Sequence, residues 1–208
     1  MRSGIRTWAR GAGVALLVVA VAAPLAGATP ADTSAQPGMI DIADLPPDSL
    51  PWMGGASDEP GWNTTGPCFW QYNTNDIPVE SVWSAGFNTS ETASAYEHAV
   101  VLPTEAEAVA LAGALRQHYA GCADRTRAGN TGDIVTGYDH GSIAVEEGAT
   151  AGGVHIAYVP SWQGYRNYLY GVGRDGNTVV LVEWESNWTQ PDVPAFKETV
   201  KAAVNKLY

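Results

Sequence analysis

The stretch AYEHAVVLPTEAEAVALAGALRQHYAGC, residues 95–122, decides the fold. Its first eight residues alternate as a strand does, with Tyr96, His98, Val100 and Leu102 on one face and Ala95, Glu97, Ala99 and Val101 on the other. Pro103 stops the strand. Thr104 and Glu107 form a capping-box pair, in which the threonine hydroxyl accepts from the Glu107 amide and the carboxylate turns back to Thr104, so a helix starts at Glu105. Ala108, Leu111, Ala112, Leu115, Tyr119 and Cys122 recur at steps of three and four and make one apolar stripe. Gly121 is placed to end the helix.

Toward the amino end, Arg2, Arg6 and Arg10 precede an uncharged run over 11–23 and the small-residue site Ala26-Gly27-Ala28. Residues 1–28 therefore read as a secretory signal peptide, and the chain as secreted. The apolar run is shorter than the roughly 20 residues a bilayer span needs. Residues 29–61 are rich in Pro, Gly and Asp and read as a mostly flexible lead-in, whose Ile40, Ile42, Leu45, Leu50, Trp52 and Met53 are placed to dock on the domain. Residues 62–208 suit a single domain.

Removing the leader leaves eight of the eleven Lys and Arg against all twenty-two acids, a net charge of −14. No basic side chain occurs between Arg10 and Arg116. Such a surface repels nucleic acids and anionic membranes, which excludes both as partners. The acids lack calcium-loop spacing, so neither a metal nor a cofactor is expected. Two cysteines in an oxidising compartment argue for one bridge, Cys68 to Cys122.

The remaining chain reads mostly as sheet. Cys68–Tyr72 and Val79–Phe87 are extended, and Ala123–Gly132 is a polar loop. Asp133–Thr136, Ser142–Glu147 and Val154–Val159 are short strands, with a small-residue turn over Gly148–Gly153. NYLYGVGR and NTVVLVEWES flank Asp175-Gly176, a hairpin signal. Val179–Val182 is continuously apolar and marks a central, covered strand. Asp192 and Pro194 open a second helix with Phe196, Val200, Ala203, Val204 and Leu207 on one stripe. Strands, helix, meander, helix is the order of an α+β domain: an antiparallel sheet with two helices packed on one face and the other face partly open.

On AVVLPTEAEAVALAGALRQHYAGC, GNTVVLVEWES and FKETVKAAVNKLY, the chain from about Gly66 to Tyr208 resembles the extracellular sensor domain of PknH-type serine/threonine kinases. That family also occurs as free secreted actinobacterial proteins. The resemblance implies one α+β domain with a cleft for an unidentified ligand, and Cys68 and Cys122 fit its first bridge. Residues 163–168 and 184–186 contain no cysteine for a second.

Nucleophile-elbow, zinc-protease, phosphate-loop and dinucleotide motifs are all missing from the sequence, so no catalytic residue is assigned and no enzyme is expected. The binding hypothesis rests on the hairpin region. Trp162, Tyr165, Tyr168, Tyr170 and Trp184, with Glu183 and Glu185, are the candidate ligand-binding residues for an extracellular small molecule or cell-envelope component held on the open sheet face. The alternative is a secreted hydrolase of envelope material, using Glu183 or His140.

Overall fold

The computed structural model describes residues 36–57, 68, 78–129, 132–158, 164–187 and 189–208. Seven strands form one antiparallel sheet: β1 (Met53–Ala56), β2 (Ser81–Asn88), β3 (Ala93–Val101), β4 (Ile134–Ile143), β5 (Ala149–Ala157), β6 (Tyr165–Asp175) and β7 (Thr178–Asn187). Their order across the sheet is β1-β2-β3-β7-β6-β5-β4. Three helices accompany it: α1 (Glu105–Ala120), α2 (Cys122–Gly129) and α3 (Val193–Asn205). The architecture is α+β, as the order of elements implies.

The two helices expected on one face, α1 and α3, do not share it, which corrects that expectation. Val179 and Leu181 of β7 pack in the cluster that holds Leu111, Leu115 and Tyr119 of α1. Val180, Val182 and Trp184 pack with Phe196, Val200 and Val204 of α3. Successive strand residues point to opposite faces, so α1 and α3 lie on opposite sides of the sheet. The physical reason is β7 itself: a strand apolar at every position needs cover on both faces. β6 makes room for α3 with two glycines. A Cβ on Gly171 would stand 2.3 Å from the Val200 side chain, and one on Gly173 would stand 2.4 Å from that of Val204.

Both helix starts follow their caps. Thr104 accepts from the Glu107 amide at 3.2 Å and its hydroxyl donates to the Glu107 carboxylate at 2.8 Å. Asp192 accepts from the Ala195 amide at 2.9 Å. At the end of α1, Gly121 keeps right-handed geometry, φ −84°, and the chain resumes as α2. The loop expected over Ala123–Gly132 is thus helical to Gly129, burying Cys122, Ala123 and Thr126. The bridge from Cys68 to Cys122 is formed, with Cα atoms 5.4 Å apart. The rest of the expected strand Cys68–Tyr72 lies outside the described residues.

Two long strands, β4 and β5, replace the three short ones expected between Asp133 and Val159. Gly152 and Gly153 belong to β5 and not to a turn, because neighbouring atoms occupy the space a side chain would need. A Cβ on Gly152 would lie 2.4 Å from Tyr170 Oη, and one on Gly153 2.8 Å from the Tyr168 carbonyl oxygen. In the β6–β7 hairpin Asp175 pairs with Thr178, so Gly176 (φ +54°) and Asn177 form the loop, one residue beyond the Asp-Gly centre expected.

Residues 36–57, read as part of a flexible lead-in, are packed. Ile40, Leu45 and Trp52 are buried in the α3-side core, and the Ile40 amide donates to Glu97 Oε2 at 2.7 Å. Trp52 Nε1 donates to the Pro46 carbonyl at 2.8 Å, and β1 then extends the sheet beside β2. Lys206, which caps α3, pairs with Asp44 and, at 3.1 Å, with Asp41, fastening the segment to the carboxyl end of the chain.

Candidate functional site

Cover on both sides removes the open sheet face on which the candidate residues were expected to gather. Tyr168, Tyr170, Glu183 and Glu185 do come together, on the α1 side. Tyr170 stands opposite Glu183 and Tyr168 opposite Glu185 across the β6–β7 ladder. Trp184 points the other way and is buried beneath α3, 4% exposed. Tyr165 sits at the start of β6 with its ring 5.3 Å from that of His155. Trp162 lies outside the described residues.

The cleft takes a different form. Where α1 and α2 stand off β4, β5 and β6, they leave a cavity of about 470 Å³. Its walls include Arg116 and Tyr119 from α1, Arg127 from α2, Tyr138 and Asp139 from β4, and Tyr170 from β6. Of the six described candidates only Tyr170 reaches this wall. Its ring lies across β5 in the space left by Gly152, so the missing side chain there shapes the cavity floor. Tyr138 is 49% exposed and forms part of the rim.

A carboxyl group stands behind the tyrosines. Tyr119 Oη donates to Glu183 Oε1 at 2.9 Å, and the Tyr119 and Tyr170 rings are 4.8 Å apart. Glu183 Oε2 is buried with no hydrogen-bond partner. Burial pushes this carboxyl up to about 7, the Tyr119 hydrogen bond pulls it down, and the charge of Glu185 pushes it up again. Burial likewise raises Glu185, which Arg166 partly offsets, and lifts the Tyr168 hydroxyl to about 12. Glu183 therefore holds or releases a proton near neutrality, and touches the cavity only through Tyr119.

Arg127 is satisfied internally: it pairs with Asp124 at 2.7 Å and donates to the Val135 carbonyl at 2.9 Å. Arg116 differs. One of its nitrogens donates to the Gly148 carbonyl at 2.9 Å, Nε is buried without an acceptor, and among the described residues no carboxylate comes within ion-pairing distance. Burial and repulsion from Arg174 both lower its pKa.

A second cavity, about 400 Å³, lies nearer α3 and is lined by His140, His155, Asn167 and Tyr168 among others. His155 Nδ1 and Asn167 Oδ1 are 2.7 Å apart, and Asn167 Nδ2 donates to the Thr189 carbonyl. The amide orientation makes His155 Nδ1 the donor and leaves the lone pair on Nε2. Among the described residues no three His, Cys, Asp or Glu side chains cluster as a metal would require.

Reading the sequence alone passed over most of the first cavity's wall. The apolar stripe of α1 hides Tyr119 among core positions, and the polar composition of residues 123–132 hides α2, which supplies Arg127. The available signal was Arg116, the first cation after Arg10 in a strongly acidic chain.

By sequence the chain matches no protein family and no curated protein. Among solved structures it is similar to the crystal structure of the extracellular domain of PknH from Mycobacterium tuberculosis, with 12% identity over 81% of this chain and 97% of that one, and a TM-score of 0.49.

Proposed function

We propose that this chain is a secreted, non-catalytic ligand-binding domain of the sensor type, recognising an extracellular small molecule or cell-envelope component in the cavity beneath α1 and α2. The observation that carries the reading is that cavity: about 470 Å³, within the range of small-molecule sites, walled by three tyrosines and two arginines. The leader pattern and the bridge favour an extracytoplasmic setting. Among the described residues no helix is long and apolar enough to cross a membrane.

The hydrolase reading gains nothing from the geometry. It called on Glu183 or His140. Glu183 is shut behind Tyr119, and His140 is on the α3 side, near Gly153 and Leu169. A substrate in either cavity meets one of them at most.

The test is an amide-resolved NMR titration of the mature chain with soluble fractions of cell envelope. Saturable shifts are expected at Tyr119, Ala120, Tyr138 and Thr150, and Thr150→Trp, which fills the cavity from β5, is expected to abolish them. Saturable binding that leaves those amides unmoved, or survives Thr150→Trp, places recognition elsewhere. No saturable response to any fraction removes the reading.

A further inference from the structure

Eight Lys and Arg remain after the leader, and five of them have an anionic or hydroxyl partner inside the chain. Arg127 pairs with Asp124, Arg174 with Glu147 and Glu105, Lys201 with Glu198, and Lys206 with Asp41 and Asp44. Arg166 donates to Tyr168 Oη and feels the charge of Glu185. Arg125 donates to the His118 carbonyl at 2.6 Å, and Arg116 lines the cavity with no carboxylate within ion-pairing distance among the described residues. A half-buried guanidinium with no counter-charge, in a chain with a large excess of acids, is costly unless something outside the chain supplies the anion.

Resting on the cavity reading above, we infer that Arg116 anchors the carboxylate of a small, singly charged, hydroxyl- or amine-bearing ligand such as an acidic sugar. Of the two arginines on the described cavity wall, Arg116 is the one without a carboxylate partner, which sets the charge at one. Asp124 and Asp139 on the same wall repel a doubly charged phosphate, so a carboxylate fits better than a phosphoryl group. Asp139 already accepts from the Gly141 amide at 2.8 Å and keeps acceptor capacity for a hydroxyl or ammonium at the ligand's other end. Tyr170 on the floor offers the aromatic surface against which a sugar ring packs.

The probes are matched pairs. N-acetylmuramate differs from N-acetylglucosamine by a carboxylate-bearing arm, and glucuronate differs from glucose by one carboxylate. In titrations of the mature chain followed at the cavity amides, each acid is expected to bind at least about tenfold more tightly than its neutral partner, the scale of one charge-assisted hydrogen bond. Glucose 6-phosphate is expected to bind more weakly than glucuronate. Arg116→Gln is expected to erase the acid preference. Arg116→Lys, which keeps the charge but loses the planar fork, retains part of it and serves if Arg116→Gln does not fold. Neutral sugars binding as well as acids, phosphate binding best, an acid preference surviving Arg116→Gln, or no response to either acid would each overturn the inference. The cavity reading falls separately, if envelope fractions also leave the same amides unmoved or their binding survives Thr150→Trp.

Discussion

Replacing both Cys68 and Cys122 by alanine is expected to lower the unfolding free energy by about 4 kcal/mol, the chain-entropy value for a loop of this length. The bridge joins residues 54 apart in sequence. The two sulfurs are buried, at 2% and 0% residue exposure, so the alanines remain in apolar surroundings and the effect read is mainly that of the lost link. The loss extends beyond stability. Cys122 is the first residue of α2, and α2 contributes Ala123, Asp124 and Arg127 to the cavity wall. Urea unfolding of the native and double-alanine chains measures the first effect, and the envelope titration measures the second. A shift below about 1 kcal/mol is outside the range typical of native bridges in secreted domains and would sink the claim that this link anchors the helical cover.

The second large effect concerns pH. Glu97 lies fully buried on β3, with Oε2 accepting from Ile40 and Oε1 without a partner. Burial pushes its carboxyl up to about 8, against the Ile40 hydrogen bond and the charge of Lys206, with Asp44 adding to the rise. A raised carboxyl means that the folded chain holds a proton the unfolded chain gives up. The associated stability is whole below about 4.5 and is lost as pH climbs through the folded value. Glu183, near 7, acts in the same direction, while His98, held near 4 by burial, works oppositely at acid pH. At 6.5 an unfolded histidine is only half deprotonated, so His98, with His118 and His140 lowered in the same sense, offsets part of the loss until about pH 7.5, above which the carboxyls set the slope. Between pH 6.5 and 8 Glu97 should by itself lower stability by about 2 kcal/mol, at about 1.4 kcal/mol per pH unit for one retained proton.

Glu97→Gln keeps the acceptor for Ile40 and removes the ionisation. It should flatten most of that slope, so that the variant gains about 2 kcal/mol on the native chain between pH 6.5 and 8. Urea midpoints across the window decide it. Equal slopes in the two chains would mean that Glu97 does not carry the proton.

What the sequence made legible was periodicity, and periodicity reports burial of one side at a time. The stripes of α1 and α3 stand as read, because each helix buries one face, whereas β3 is buried on both faces from Glu97 to Val101. Which side of the sheet each helix takes is a relation between elements, and a stripe carries no information about it. The clue was in β7, apolar at both parities over Val179–Val182, and in Gly171 and Gly173, which clear a path for α3. Gly152 and Gly153 misled for a related reason. Glycine serves tight turns and close packing alike, and only the ring of Tyr170 shows which applies at Gly152. The site was less legible still. Tyr170 was found as an aromatic near the hairpin, but its partners come from α1, α2, β4 and β5, and no local pattern joins Arg116 to Tyr138 and Asp139.

The pairing of β3 with β7 has a further consequence. Residues 93–101 meet residues 178–186 at the middle of the sheet, and nearly everything between them in the chain belongs to the other half. The amino-terminal hairpin is made early and waits with a bare hydrogen-bonding rim until the last strand arrives, so assembly is governed by one long-distance closure. A chain emerging amino end first leaves that rim uncovered until residues 178–186 have been made.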